Sequence, residues 1–549
     1  MNGVSQPQPS NFDDIVGAPS KGSLEGDTFT YAREARSRID EWWDVQIAKP
    51  VVNRLWHWGV PAVVILVAAV TRLWNLGRPH ILVFDETFYV KDAWTLWNLG
   101  YEAGWSAEAD TLFAAGNTDV YTTDPSFVVH PPLAKYLIGL GMAAFGPESS
   151  VGWRISTAIV GILAVVLVLL IAKKLMRSTL LAGIAGGLMA IDGNAIVMSR
   201  VALLDNFVMF FVLLGFGAIL LDREWSIHRL DLKGRAKPES DWGPELIWRP
   251  WLMAAGLALG LAAAVKWNGL YFLAVFAVYT LVVDALARRR LGVAFWFSGT
   301  LFKQAPVSFL LTVPIALAAY LVTWTRWFTT DGGYYRQWAT EGDNAWKGAF
   351  EWVPLAIQSF VHYQTSVYNY HVGEMRPHNY QANPLTWLLM VRPTSMYYEG
   401  SERGQNGCLA DLCGASITGI ANPLIWWAAT AAIVYLAYRL VRYREWRVGL
   451  ILMAFGAGYL PWLLYTERTV FQFYTIAFEP FMILALTFAI GHILGTRDDP
   501  AWFRERGFVV VGFYLALVVA VSVYFWPLWT GVQLDYYFLA SHWWLPTWR

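Results

Sequence analysis

The chain has 549 residues, of which 56% are hydrophobic, 16% aromatic and 15% charged. Ordinary soluble domains carry about 25% charged residues, so a string of soluble domains is excluded and the recurring apolar stretches imply one membrane-embedded unit. Lys plus Arg and Asp plus Glu both total 41, so net charge points to no partner and no nucleic acid is expected.

Residues 1–30 are rich in Ser, Pro, Gly and Asp, and the first strong apolar run starts near Trp58. A secretory signal would place its apolar core near the start, followed by a small-residue cleavage site. Neither is present, so 1–30 reads as a disordered cytoplasmic tail. Residues 31–55 mix charges with Trp and Ile at helical spacing, which suits a helix on the membrane surface; a solvated helix fits as well. The expected division is 1–55 as tail and surface helix and 56–549 as the transmembrane domain.

A helix needs roughly 20 apolar residues to cross a bilayer, because its backbone polar groups must be satisfied internally. Eleven runs are expected to do so, at 58–76, 152–172, 179–198, 202–221, 250–265, 268–287, 305–325, 420–438, 448–465, 470–494 and 507–527. The shorter LAKYLIGLGMAAFG (133–146) follows Pro131-Pro132 and reads as an interfacial helix. Taken as a twelfth span, it would move the N-terminus to the other side. The fold class expected is therefore an all-α polytopic membrane protein.

Basic residues in short loops mark the cytoplasm. With the N-terminus inside, the cytoplasmic segments hold Lys173, Lys174 and Arg177, then 222–249, Arg288–Arg290, Arg439–Arg447 and 496–506, all rich in Lys or Arg. The opposite loops are poor in bases and include the long stretches 77–132 and 326–419. A multi-pass plasma-membrane protein is expected, with its C-terminus, including Trp543, Trp544 and Trp548, outside at headgroup level. Cys408 and Cys413 fall in the second external loop. An outside location permits a disulfide, two free thiols remain an alternative, and the spacing without paired His gives little support for zinc.

Ionisable residues at span ends are expensive and usually functional. Here they gather on the outer side. Arg72 is near the exit of the first span, followed by VFDETFYVKDAW (83–94) with the adjacent Asp85 and Glu86. Then come His130 and Lys135 in HPPLAK, Arg154, Arg200 and Asp205 in SRVALLDN, Lys266 in VKWNG, and the loop residues Arg376, His378 and Arg392. Moving a sugar from a phosphate carrier to a hydroxyl needs a base for the hydroxyl proton and cations for the departing phosphate. Phosphate leaves as a weak base, so no general acid is needed, unlike the paired carboxylates of glycosidases. Duller readings stand beside this one. The acidic pair could be a solvated loop feature, HPP a rigid turn, and Asp205 a helix cap or a partner of Arg200. Arg72, Arg154 and Lys266 could be interfacial anchors with buried stems.

Taken together and in order, several segments resemble the protein O-mannosyltransferase family, glycosyltransferase family 39 of the GT-C superfamily. They are TRLWNLGRPHILVFDETFYVKDAW (71–94), HPPLAKYLIGLG (130–141), GWRISTAIVG (152–161), SRVALLDNFVMFF (199–211), LGLAAAVKWNGLYF (259–272), NYQANPLTWLLMVRPTSMYY (379–398) and FQFYTIAFEPF (471–481). The resemblance implies a GT-C fold and inverting transfer of mannose from polyprenyl-phosphate mannose to Ser or Thr hydroxyls of exported proteins at the outer face. It implies Asp85 as catalytic base with Glu86 supporting the site or acceptor. Arg72 and Arg154 would contact donor or phosphate, and His130, Lys135, Asp205, Lys266 and Arg392 would line the substrate site. No cofactor or metal is expected. Membrane lipid surrounds the site, and the secretion machinery is a candidate partner. The loop 326–419 is too short for the β-trefoil MIR domain of eukaryotic members, which fits the bacterial, particularly actinobacterial, branch. A secondary transporter is the rival from another class, but such proteins place polar groups near the midplane within repeated halves, and no repeat is seen. Another GT-C lipid-sugar transferase, of arabinosyl or aminoarabinose type, is the nearer alternative.

Overall fold

Long apolar runs become helices here because a helix satisfies its own backbone in lipid. The computed structural model describes residues 37–235 and 240–549; the tail expected over 1–30 and the start of the helix expected at 31–55 lie outside them. In chain order the principal helices are α1 (Arg38–Ile47), α2 (Pro50–Leu73), α3 (Glu86–Leu99), α4 (Leu133–Phe145), α5 (Ser150–Met176), α6 (Thr179–Ile191), α7 (Gly193–Arg200) and α8 (Asp205–Arg235). They continue with α9 (Pro250–Val265), α10 (Gly269–Arg290), α11 (Trp296–Thr323), α12 (Leu355–Gly373), α13 (Pro423–Tyr443), α14 (Trp446–Leu464), α15 (Glu479–Leu494) and α16 (Ala501–Thr530).

Among the described residues, eight helices are long and apolar enough to cross a membrane, or nine if α6 and α7 form one span bent by 58°. The expectation of eleven also counted α9 and α15, which have 16 residues each. The surface helix expected to reach residue 55 ends earlier. α1 stops at Ile47, and Pro50, at the first position of the next helix, begins the first span. Asp40 of α1 pairs with Arg504 at 2.6 Å, tying it to the start of α16.

The break between α6 and α7 has a local cause. Asp192 is extended, and its Oδ1 accepts from the amides of Asn194 and Ala195, capping α7. The capping ends α6 and leaves its last carbonyls without helical partners. Gly193 packs against Trp529, and a Cβ there would lie 2.1 Å from that ring. α15 runs through the middle of the assembly with almost every side chain buried, packed on α6, α13, α14 and α16. α9 meets α11 across Gly260, where a Cβ would lie 2.5 Å from the Ala316 backbone, the close approach that small residues allow in membranes.

The long loops 77–132 and 326–419 are not purely helical. In the first, β1 (Ala103–Trp105) pairs antiparallel with β2 (Tyr121–Pro125) between α3 and α4. In the second, α12 is followed by an antiparallel hairpin of β3 (Ser395–Glu402) and β4 (Leu412–Thr418). Cys408 and Cys413 form a disulfide at this hairpin. β5 (Leu534–Asp535), after α16, adds to β4, so the C-terminal segment docks on the second loop. An aromatic cluster of Trp324, Trp327, Phe360 and Tyr363 joins the loops, with Phe127 packed against it. The Tyr363 hydroxyl donates to the Val128 carbonyl at 3.0 Å, fixing the irregular segment that leads from β2 to His130.

Candidate active site

Two neighbouring carboxylates start α3 and separate at once. Glu86 is fully buried. It accepts from Arg154 Nε and Nη2, each at 2.8 Å, from the amide of Val83 at 3.0 Å and from the amide of Ala202 at 2.9 Å. Arg154 spends its remaining donors on the carbonyls of Leu76, Pro79 and Ile81. Glu86, expected to support the site or acceptor, and Arg154, expected to contact donor or phosphate, are thus placed as positioning residues. Each saturates the other, and together they hold 76–86 against the start of α5.

Asp85 stays outside this network. The residue before it, Phe84, has φ of 49°, a left-handed conformation that costs a bulky residue energy and is held only by firm surroundings. The Phe84 ring sits edge-on to Phe471 at 5.8 Å, Phe473 at 5.7 Å and His378 at 6.0 Å. These contacts turn the backbone so that the next two carboxylates diverge. Burial pushes Asp85 up to about 6, with Lys266 and a hydrogen bond from Tyr89 pulling down and Asp205 pushing up.

Lys266 and Asp205 come together from different helix ends. Lys266 is the extended residue that ends α9, Asp205 opens α8, and Lys266 Nζ lies 2.8 Å from Asp205 Oδ2. Asp205 thus pairs with Lys266, while Arg200 donates to the carbonyls of Trp74 and Arg72 at the end of α2. Lys266 also lies 4.5 Å from the centre of the Tyr474 ring.

A cavity of about 120 Å³ opens here, lined by His130, Lys266, Trp267, His371, Arg468 and Tyr474 among others. His130 and His371 stack with ring centres 5.2 Å apart. His371 Nε2 is 2.7 Å from the Val129 carbonyl and can only donate to it, so Nδ1 accepts from Arg468 Nη2 at 3.0 Å. Burial and then Arg468 push His371 down to about 4; burial and then Lys266 keep His130 well below its usual range. Both rings are neutral. The Arg468 guanidinium therefore rests on a neutral imidazole rather than a carboxylate, and its Nε is buried without a partner. This is a fixed positive charge facing a cavity, suited to an anion.

Three other expected site residues do different work. Arg72 is fully buried and donates to the carbonyls of Ala190 and Met189 at 2.7 and 2.8 Å, closing the end of α6 exposed by the break. Lys135 pairs with Glu102 at 2.6 Å and Asp92 at 3.5 Å, bracing β1 against α3 and α4. Arg392 donates to the carbonyls of Asn379, Thr547 and Arg549, clasping the C-terminus. None of the three lines the cavity. Arg468 and His371 escaped sequence reasoning. The available signal was a lone Arg just before FQFYTIAFEPF, comparable to Lys266 just after α9. Among the described residues, no three His, Cys, Asp or Glu side chains converge on a possible metal position.

Comparison with known proteins fits this geometry. Residues 62–330 match the family described as dolichyl-phosphate-mannose-protein mannosyltransferase, and 356–548 match the C-terminal four TMM region of protein-O-mannosyltransferase. The polyprenol-phosphate-mannose–protein mannosyltransferase of Mycobacterium tuberculosis is 33% identical over 91% of this chain and 93% of its own length. That of Corynebacterium glutamicum is 32% identical over 90% and 93%. The structure of the S. cerevisiae protein O-mannosyltransferase Pmt1-Pmt2 complex bound to the sugar donor shares the fold, with a TM-score of 0.65 at 16% identity over 89% of this chain and 92% of that one. Likeness that runs through both halves of the molecule, loops included, leaves one assignment: the chain belongs to the protein O-mannosyltransferase family.

Proposed function

We propose that this chain transfers mannose, with inversion, from polyprenyl-phosphate mannose to Ser or Thr hydroxyls of exported proteins. Asp85 is the catalytic base. The acceptor hydroxyl oxygen attacks the mannosyl C1 from the face opposite the phosphate, the C1–O bond to phosphate breaks, and the hydroxyl proton passes to Asp85. The polyprenyl phosphate leaves with the bond's electron pair, and one displacement inverts C1. A carboxylate raised to about 6 is a stronger base than a solvated one yet still mostly ionised at neutral pH.

Charge on the departing phosphate falls to Arg468 and Lys266, so the step calls for no metal or cofactor. Lys266 is already paired with Asp205, which leaves Arg468 as the stronger contributor. His371 orients Arg468, and His130, stacked on His371, shapes the cavity wall.

The orientation that suits this chemistry puts the N-terminus in the cytoplasm and Asp85, the loops 77–132 and 326–419 and the C-terminus on the outer face. It is supported by the basic ends of α5 and α10, which carry Lys173, Lys174 and Arg288–Arg290 at the opposite end from the site. An acceptor would reach the cavity as an extended chain, in reach of the secretion machinery that delivers it.

The observation that carries the proposal is the electrostatic coupling of one elevated carboxylate, Asp85, to Lys266, which lines the cavity that also holds Arg468, Asp85 itself lying behind that lining. Purified protein with polyprenyl-phosphate mannose and a Thr-containing peptide tests it. Asp85→Asn should abolish transfer while thermal unfolding stays unchanged. Full activity in that variant would remove Asp85 as the base.

A further inference from the structure

The turn that carries Lys266 holds a second polar side chain, Asn268, which the transfer step leaves unused. α9 ends at Val265 and α10 begins at Gly269, so Lys266, Trp267 and Asn268 form the whole connection. The connection is rigid. The amides of Gly269, Leu270 and Tyr271 donate to the carbonyls of Lys266, Trp267 and Asn268 at 3.0–3.1 Å. A Cβ on Gly269 would lie 2.5 Å from the Ala263 amide nitrogen. Asn268 is thus fixed two residues from the lysine that pairs with Asp205, and both line the active-site cavity.

Asn268 stands where a helix is usually capped. Asparagine is favoured there because its side-chain oxygen can accept from the first free amides of the helix. Here it makes no capping bond, and its backbone is already helical, with φ of −61° and ψ of −19°. Its Oδ1 is buried without a hydrogen-bond partner among the described residues. Leaving such an acceptor unpaired is costly, so its place in a cavity wall calls for a donor from whatever the cavity holds.

Several other polar groups of that wall are already engaged. Trp267 Nε1 donates to the Tyr320 hydroxyl at 3.2 Å, His371 is bonded at both ring nitrogens, and Lys266 pairs with Asp205. Beside them stand the aromatic side chains Trp267, Trp462 and Tyr474, and Asn268 is the one side-chain amide among the described lining residues. In an aromatic pocket, a few placed polar groups set orientation and specificity. Arg468 and Lys266 answer the donor's phosphate. An uncharged amide, which both accepts and donates, answers hydroxyls.

We propose that Asn268 reads the sugar of the donor: one ring hydroxyl of the mannosyl group donates to Oδ1, and an adjacent hydroxyl accepts from Nδ2. The inference rests on the donor reading above and adds to it the residue that selects the sugar. The contact is non-covalent and leaves the displacement at C1 as described.

Full-length protein assayed with polyprenyl-phosphate mannose, with analogues each lacking one ring hydroxyl, and with a Thr-containing peptide tests this. In the parent, deleting either of two adjacent hydroxyls should lower kcat/KM at least about tenfold, because a buried polar group of the site is left unpaired. Asn268→Ala should show that loss already with the complete mannosyl donor. The same deletion should then cost the variant no more than about twofold, since both changes remove one interaction. Its thermal midpoint should match the parent's, because no cap bond is lost. Inhibition by polyprenyl phosphate, which carries no sugar, should be unchanged. The rise in thermal midpoint that each donor produces gives the same comparison for a variant too slow to assay. Equal deoxy losses in parent and variant at every position overturn the proposal. Weaker inhibition of Asn268→Ala by polyprenyl phosphate also overturns it, moving the amide to the phosphate. A parent that transfers no mannose at all refutes the donor reading itself, and this inference with it.

Discussion

Arg154 meets Glu86 through two parallel hydrogen bonds of 2.8 Å, and both side chains are essentially withdrawn from solvent. Removing one partner of such a buried pair leaves an uncompensated charge and costs roughly 3–5 kcal/mol. Arg154→Ala should therefore lower the thermal midpoint in detergent markedly and reduce yield. Asp85→Asn, one residue away from the pair, should leave the midpoint where it was and remove transfer. The paired measurement separates the two carboxylates, and a normal midpoint for Arg154→Ala would return that residue to the substrate site.

The membrane core was legible because hydropathy is a sum over many residues. Each of the eleven expected runs overlaps a helix, including the bent pair and the short α9 and α15. Asp85 was legible through its motif, and Lys266 and Asp205 through position at span ends. The roles of Arg72, Arg154, Lys135 and Arg392 were not, because a cation at a span end reads alike whether it faces a ligand or a carbonyl. Arg72 shows the difficulty best: its partners are the carbonyls of Met189 and Ala190, over a hundred positions away, freed by a helix break that hydropathy does not register. Arg468 and His371 were missed for the converse reason. Their pairing brings α12 to the segment after α14, and only folding makes it.

Protonation of Asp85 should govern the rate at low pH. Its folded value is raised, to about 6, so the active carboxylate is lost as pH falls through about 6 rather than through the usual carboxylate range near 4. Transfer at saturating donor should rise about tenfold per pH unit below that point and level off above it. A profile flat down to pH 5 would contradict an elevated base. Lys266→Met removes the cation that pulls Asp85 down and should move the limb upward. A downward move would break the stated coupling.

Arg468 should act on the donor. A hydrogen bond to a charged group contributes about 1.5–3 kcal/mol, so Arg468→Gln should raise the donor KM or lower kcat/KM for the donor about 10- to 100-fold, with little change in peptide KM. His371→Ala leaves the guanidinium present but unheld, and a smaller loss of the same kind is expected. Equal loss toward donor and peptide would place Arg468 elsewhere in the reaction.

Arg392 is expected to matter for the C-terminus rather than for chemistry. Its guanidinium donates to the carbonyls of Thr547 and Arg549, and Trp548 Nε1 donates to the Met390 carbonyl at 2.7 Å. Arg392→Ala removes the clasp but keeps the Trp548 anchor, so the tail should loosen without detaching the β4–β5 pairing. Carboxypeptidase digestion should then trim the last residues of the variant faster than those of the parent, while donor KM stays within about twofold. A large donor defect with an equally protected tail would restore Arg392 to the substrate site.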